Sequence, residues 1–98
     1  MLNQVVVVGR LTKIEVKGEE KNGVFGIAIP RSYKNENGIY DTDFITFKAS
    51  GSIAENTAEY CKKGDIVGVK GRLQGNGEVM EFIAEKITFL SSKTPEEE

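Results

Sequence analysis

Residues 42–73 read TDFITFKASGSIAENTAEYCKKGDIVGVKGRL and predict a strand, a short helix and a second strand. The first part alternates with period two, so that Ile45 and Phe47 point to one side while Phe44 and Lys48 point to the other. This pattern is typical of a strand that is buried on one face only. We therefore expect Phe44 and Lys48 on an exposed face.

A helix of about ten residues is predicted directly after this strand. Ser52 and Glu55 have the spacing of a capping box, in which each side chain bonds the backbone N–H of the other. Gly64 offers a left-handed stop at the end of the helix. Period two then returns over residues 65–73, with Val67, Val69 and Leu73 on one side and Lys70 and Arg72 on the other.

The rest of the chain adds three more strands. Strand-like runs cover residues 3–17, 24–32, 43–49, 65–74 and 79–90. Asn-Gly pairs at residues 22, 37 and 76 indicate hairpin turns, and the helix connects the third strand to the fourth. This order predicts an all-β protein with one short helix, the OB-fold, which is a five-stranded Greek-key barrel.

Length and composition fit one small domain. The chain has 98 residues, of which 39% are hydrophobic, enough for a single core. We expect the domain to span residues 1–90 and to be followed by a disordered acidic tail, SSKTPEEE, at residues 91–98. No apolar run approaches the length of a membrane span, so a soluble, cytoplasmic protein is predicted.

The titratable residues argue against catalysis. There is no histidine and only one cysteine, so the commonest general base, a disulfide and a cysteine-based metal site are missing. We predict a non-enzymatic protein without metal or cofactor. Cys61 lies on the apolar side of the helix and is expected to be a small buried hydrophobe rather than a reactive thiol.

Aromatic and basic residues alternate around the second and third strands, a pattern that suits single-stranded nucleic acid. Bases would stack on the aromatic rings, and cations would follow the phosphates with strong salt dependence. The candidate stacking residues are Tyr33 and Phe44, and the candidate phosphate-binding residues are Arg10, Arg31, Lys34, Lys48, Lys70 and Arg72.

Alternatives remain open for several of these residues. Phe44 would instead cover the end of the barrel or a subunit interface. We assign the other phenylalanines, Phe25, Phe47, Phe82 and Phe89, to the core. Asp41 and Asp43 are an acidic pair that in principle holds Mg²⁺, as a nuclease would require, although solvated charges explain their spacing better.

The sequence resembles the bacterial and phage single-stranded DNA-binding proteins. The matching pieces are Met1-Leu2-Asn3, Val7-Val8-Gly9-Arg10-Leu11-Thr12-Lys13, Asn22-Gly23-Val24, Asp43-Phe44-Ile45, Ala54-Glu55-Asn56, Tyr60, Lys62-Lys63-Gly64, Val67-Gly68-Val69, Gly71-Arg72-Leu73, Ala84-Glu85 and Phe89-Leu90. The resemblance implies an OB-fold that stacks bases on Tyr33 and Phe44. Ser50 stands where the family usually has another aromatic, and the fourth-to-fifth hairpin is trimmed to residues 74–78, which implies weaker binding or a shorter DNA site.

The same resemblance suggests a biological setting. The family's Gly- and Pro-rich linker and acidic, apolar C-terminal tip, which recruits replication and repair enzymes, have no counterpart here. Relatives form homo-oligomers, so we expect a homotetramer, or else a dimer, with the first strand at an interface. The implied role is protection of single-stranded DNA in replication, recombination or repair, for a phage, a mobile element or an accessory bacterial copy. The alternatives are a protein-interaction module of a primosome-like complex and a single-stranded RNA binder.

Overall fold

Five strands close into a barrel, with one helix between the third and the fourth. A computed structural model of the chain describes residues 1–18 and 22–90. The elements are β1 (Val5–Lys17), β2 (Asn22–Lys34), β3 (Tyr40–Ala49), α1 (Gly51–Tyr60), β4 (Ile66–Asn76) and β5 (Val79–Phe89). Strands lie around the barrel in the order β1-β2-β3-β5-β4, and β3 pairs with β5 in parallel while every other pair is antiparallel. The predicted OB-fold order is confirmed.

The core is built around three phenylalanine rings. Phe25 and Phe47 are stacked with their ring centroids 5.2 Å apart, and Phe82 lies 5.9 Å from Phe47. All three side chains are buried, as predicted. Phe89 was wrongly assigned to the core: it is 44% exposed, because β5 has run past the core at its last residue. Its ring lies instead against Tyr60 at the end of α1, 6.4 Å between centroids.

The N-cap of the helix lies two residues before the predicted cap. Ser50 is the N-cap residue and its side chain makes no capping hydrogen bond. The predicted capping box at Ser52 and Glu55 is wrong, because Ser52 is already inside the first turn. The strand ends at the buried Ala49, and only Ser50 is left to separate the strand from the helix.

The end of the helix also differs from the prediction. Cys61 is the C-cap in extended conformation, and its N–H donates to the Thr57 carbonyl at 3.0 Å. Gly64 does not terminate the helix; its N–H donates to the Leu11 carbonyl at 2.7 Å and ties this loop to β1. Cys61 is buried as expected, and this burial raises the pKa of its thiol, which disfavours the reactive thiolate.

Two of the three Asn-Gly pairs lie at connections between strands, and the third lies within a strand ladder. Asn37-Gly38 lies in the loop between β2 and β3, as predicted. In the last hairpin Asn76 pairs with Val79, so the turn itself is Gly77 and Glu78, with Gly77 at a φ of 68°. The pair Asn22-Gly23 is not a turn: both residues belong to the β1–β2 ladder. A Cβ at Gly23 would lie 2.5 Å from the Phe25 ring, so this glycine serves core packing.

The β4–β5 hairpin extends beyond the barrel. Leu73, which was predicted on the same side as Val67 and Val69, is 43% exposed; it pairs with Phe82, where the β3–β5 ladder ends. A register shift between Lys70 and Gly71 leaves Glu85 as the extra residue of β5. A Cβ at Gly71 would collide with the Ile83 carbonyl oxygen, so the close approach of the two strands requires glycine there.

Two further sequence predictions concern the C-terminal tail and membrane spans. The tail predicted at residues 91–98 lies outside the described residues. In residues 1–18 and 22–90, no helix is long and apolar enough to cross a membrane.

Candidate nucleic-acid interface

Phe44 is the most exposed of the described phenylalanines and lies on the outer face of the barrel. Burial alternates along β3, which places Tyr40, Phe44 and Lys48 outside while Ile45 and Phe47 face inward. The Phe44 residue is 75% exposed. Sequence periodicity therefore placed this ring correctly.

A cation faces the same surface two strands away from Phe44. Arg10 on β1 pairs with Ala28 on β2, and Ala28 pairs with Phe44. Two strand spacings separate the backbones of Arg10 and Phe44 by about 10 Å. The small Ala28 side chain between them leaves room for a ligand.

A groove with an apolar floor lies beside this row, and we call it the central groove. Its volume is about 430 Å³, and its lining comprises Val8, Gly9, Arg10, Ala28, Pro30, Thr42 and Ile66. The Arg10 guanidinium donates through Nη1 to the Gly64 carbonyl at 2.9 Å. This bond fixes the side chain at the groove and leaves other N–H groups of the guanidinium available.

Tyr40, which was not among the candidate stacking residues, joins Phe44 on the outer face of β3. Lys34 pairs with Tyr40 across β2 and β3, and the Lys34 Nζ lies 5.7 Å from the centroid of the Tyr40 ring. This is a cation–π contact. Because Tyr40 lies four residues before Phe44, the same alternation could have identified it.

Arg31 faces away from Phe44. Its Nε and Nη2 donate to the two carboxylate oxygens of Asp43 at 3.1 and 2.9 Å, and its Nη1 lies 3.8 Å from Asp41. Both aspartates have the inward parity of β3. The hydrogen bonds from Arg31 lower the pKa of Asp43, since they favour its charged form.

The two aspartates considered as a Mg²⁺ site therefore hold a guanidinium instead. In residues 1–18 and 22–90, no three His, Cys, Asp or Glu side chains come together as metal ligands. Tyr33 follows Arg31 on β2 and is 62% exposed. Strand pairing is irregular between Pro30 and Lys34, so Tyr33 lies within this irregular part of the β2–β3 ladder.

Lys48 lies where β3 meets β5, beside a second groove that we call the seam groove. Its volume is about 390 Å³, and its lining comprises Asn22, Gly23, Val24, Lys48, Ala49, Ser50, Gln74, Glu81 and Ile83. The Lys48 Nζ donates to Glu81 Oε2 at 2.7 Å, and Asn76 Nδ2 donates to the same oxygen at 3.3 Å. These bonds lower the pKa of Glu81, with Lys48 the larger cause.

The two remaining candidate cations are on β4. Arg72 donates to Glu85 Oε2 at 3.1 Å and to Gln74 Oε1 at 2.9 Å. Lys70 is exposed and lies between Val6 on β1 and Lys86 on β5. The row that contains Lys70 is on the far side of β1 from Phe44.

The predicted site thus divides into three parts. The outer face of β1, β2 and β3 carries Phe44, Lys34, Lys48 and Arg10, whereas Arg31 is on the opposite face of the β2–β3 pair, with Asp43. Lys70 and Arg72 belong to β4. Three of the predicted cations are already paired with carboxylates of other strands, and these contacts could not be predicted from spacing along the chain.

The chain matches known sequences over nearly its whole length. A sequence profile described as the single-strand binding protein family matches residues 2–88. The chain belongs to this family. The resemblance noted from the sequence motifs is thereby confirmed.

Two relatives within the single-strand binding protein family illustrate the match. Single-stranded DNA-binding protein 1 of Clostridium acetobutylicum is 38% identical over 94% of this chain and 96% of the relative. Single-stranded DNA-binding protein B of Bacillus subtilis is 37% identical over 98% of this chain and 96% of the relative.

Solved structures with low sequence identity share the fold. A small single-stranded DNA-binding protein from Mycoplasma pneumoniae superimposes with a TM-score of 0.73 at 19% identity, covering 95% of this chain and 99% of that one. The N-terminal domain of PriB from Thermoanaerobacter tencongensis, whose structure is dimeric, gives a TM-score of 0.69 at 22% identity, covering 92% of this chain and 98% of that one.

Proposed function

We propose that this protein binds single-stranded DNA without catalysis and with little sequence preference, and that it protects the strand in replication, recombination or repair. The observation that carries the proposal is the exposed Phe44 ring on the same outer face as Arg10 and Lys34. Exposure of an aromatic ring to water is unfavourable in the free protein, and the ring gains stacking energy with any base. The names of the relatives support the same ligand.

In the proposed complex, aromatic rings contact the bases and cations contact the phosphates. Phe44 and Tyr33 stack bases, while the backbone of the strand follows the cations and releases counterions. The proposed phosphate-binding residues are Arg10, Arg31, Lys34, Lys48, Lys70 and Arg72. Ser50 at the edge of the seam groove offers no ring, so one stacking position fewer is expected on this face.

The proposal extends to assembly and setting. Val6 and Val8 on β1 and Leu90 after β5 expose large apolar side chains, which supports a homo-oligomer that uses the first strand. We favour a tetramer over a dimer. Residues 1–90 would form the binding domain of a cytoplasmic protein from a phage, a mobile element or an accessory bacterial gene.

The direct test is a titration of the protein with oligothymidylate at two salt concentrations, in which binding is measured by intrinsic tyrosine fluorescence. The chain has three tyrosines and no tryptophan, so stacking near Tyr33 or Tyr40 is visible as quenching. Saturable quenching that weakens with salt supports the proposal. A folded protein that shows no binding at low salt refutes it.

A second candidate is an OB-fold module for single-stranded RNA or for a protein partner. The carboxylates on Arg31, Lys48 and Arg72 favour the protein partner, because they weaken binding of any nucleic-acid backbone. Ser50 in the place of a ring removes one stacking position and has the same effect. Competition between deoxyribo- and ribo-oligomers of equal length separates DNA from RNA as the ligand, and a folded protein that binds neither oligomer at low salt would favour the protein partner. Preference for the ribo-oligomer would identify single-stranded RNA as the ligand.

A further inference from the structure

Half of the proposed phosphate-binding cations are already occupied by carboxylates of the same chain. Each of these pairs joins side chains from different strands, so they are created by the fold and not by neighbours in sequence. The three pairs are Lys48–Glu81 at 2.7 Å, Arg31–Asp43 at 2.9 Å and Arg72–Glu85 at 3.1 Å.

The pair between Lys48 and Glu81 is the most constrained of the three. The Glu81 side chain is only 16% exposed, and its Oε2 also accepts from Asn76, so the carboxylate is held in place. Lys48 is 48% exposed and can rotate. Both side chains line the seam groove. A phosphate that reaches Lys48 through this groove meets a fixed carboxylate at the same ammonium group.

We propose that Glu81 competes with the DNA phosphate for Lys48, and that Glu85 and Asp43 compete in the same way for Arg72 and Arg31. The proposal rests on the proposed function. Because each carboxylate must be displaced, affinity is lower than the six cations alone would give. Acidic residues at the interface thus set the binding strength, and they do so without touching the bases.

Salt dependence is affected as well as affinity. Each phosphate neutralised by a protein cation contributes about 0.7 to the slope of log K against log salt for a single strand. A lysine that stays with its carboxylate neutralises no phosphate. Removal of the carboxylate charge should therefore steepen the slope by up to about 0.7 as well as tighten binding.

The experiment compares Glu81→Gln with a matched control, Glu59→Gln, in oligothymidylate titrations across a salt series. Both substitutions remove one negative charge, but Glu59 is exposed on α1 and away from the grooves. Glu81→Gln is expected to bind roughly two- to five-fold more tightly at low salt, the range set by an exposed ion pair. Glu59→Gln is expected to match the wild type in both affinity and slope.

A double-mutant cycle with Lys48→Met distinguishes competition from repulsion. If Glu81 acts through Lys48, the gain disappears in the Lys48→Met background. A gain that persists there overturns the inference, since it would mean repulsion of DNA at a distance. Equal affinity of folded Glu81→Gln and wild type overturns it too.

Two further outcomes keep the inference separate from the proposed function. If Glu81→Gln fails to unfold cooperatively, Glu85→Gln makes the same test at Arg72, and an unchanged affinity there overturns the inference. Wild-type binding without any gain in the variants removes only the competition. A wild type and variants that all fail to bind DNA remove the proposed function, and the inference with it.

Discussion

Replacement of Phe44 by alanine tests the interface at one exposed ring. Phe44 is 75% exposed, so removal of its ring leaves no buried cavity and costs little folding free energy. If one base stacks on it, binding weakens by about 1–3 kcal/mol. This loss corresponds to an increase in Kd of roughly five- to 150-fold.

The assay is the same oligothymidylate titration at low salt, with thermal unfolding followed by circular dichroism to verify the fold. Phe44→Leu is the matched control, because it retains apolar area but has no π face. We expect it to recover only part of the lost affinity. A folded Phe44→Ala protein with wild-type affinity would refute the stacking role, and a change in its molecular mass by light scattering would assign Phe44 to a subunit interface.

Three further predictions concern stability. Phe47→Ala removes a ring packed between two others and should cost about 3–5 kcal/mol in urea unfolding; a cost below 1 kcal/mol would contradict the core assignment. Gly71→Ala should destabilise by at least about 1 kcal/mol, whereas Gly75→Ala, which meets nothing within 4 Å, should be tolerated in the same assay. Because Arg31 lowers the Asp43 pKa, the stabilisation is present above the ordinary value of 3.8 and is lost as pH falls through the lowered pKa. The difference in melting temperature between wild type and Asp43→Asn should therefore shrink in acid, and a constant difference would exclude the linkage.

Periodicity and turn chemistry were sufficient to predict the architecture. The order of five strands and one helix followed from alternation and from the Asn-Gly pairs, and the exposed side of β3 followed from parity alone. These signals are local, so they survive without knowledge of the tertiary structure. The error at Asn22-Gly23 has the same origin, since the turn signal is local but the packing of Gly23 on Phe25 is not.

The charge arrangement of the site was beyond sequence reasoning. Lys48 and Glu81 belong to strands that become neighbours only when the barrel closes, and no spacing along the chain encodes that contact. Arg31 was placed with Phe44 because it is on the neighbouring strand. Alternation continued from the inward-facing Phe25, Ile27 and Ile29 places Arg31 on the same side as Asp43, so parity counting on β2 could have identified its face.

The junction between β3 and β5 gives the barrel a preferred place to open. Its ladder consists of Phe47 with Phe82 and Lys48 with Ile83, whereas the other junctions pair over much longer stretches. Local opening is cheapest where the fewest bonds must break, so amide hydrogens along this junction should exchange with solvent before those of the remaining ladders. A DNA strand lying across the seam groove would contact both β3 and β5 and hold the two strands together. Binding of DNA would then stabilise the closed barrel, so that the junction opens less often.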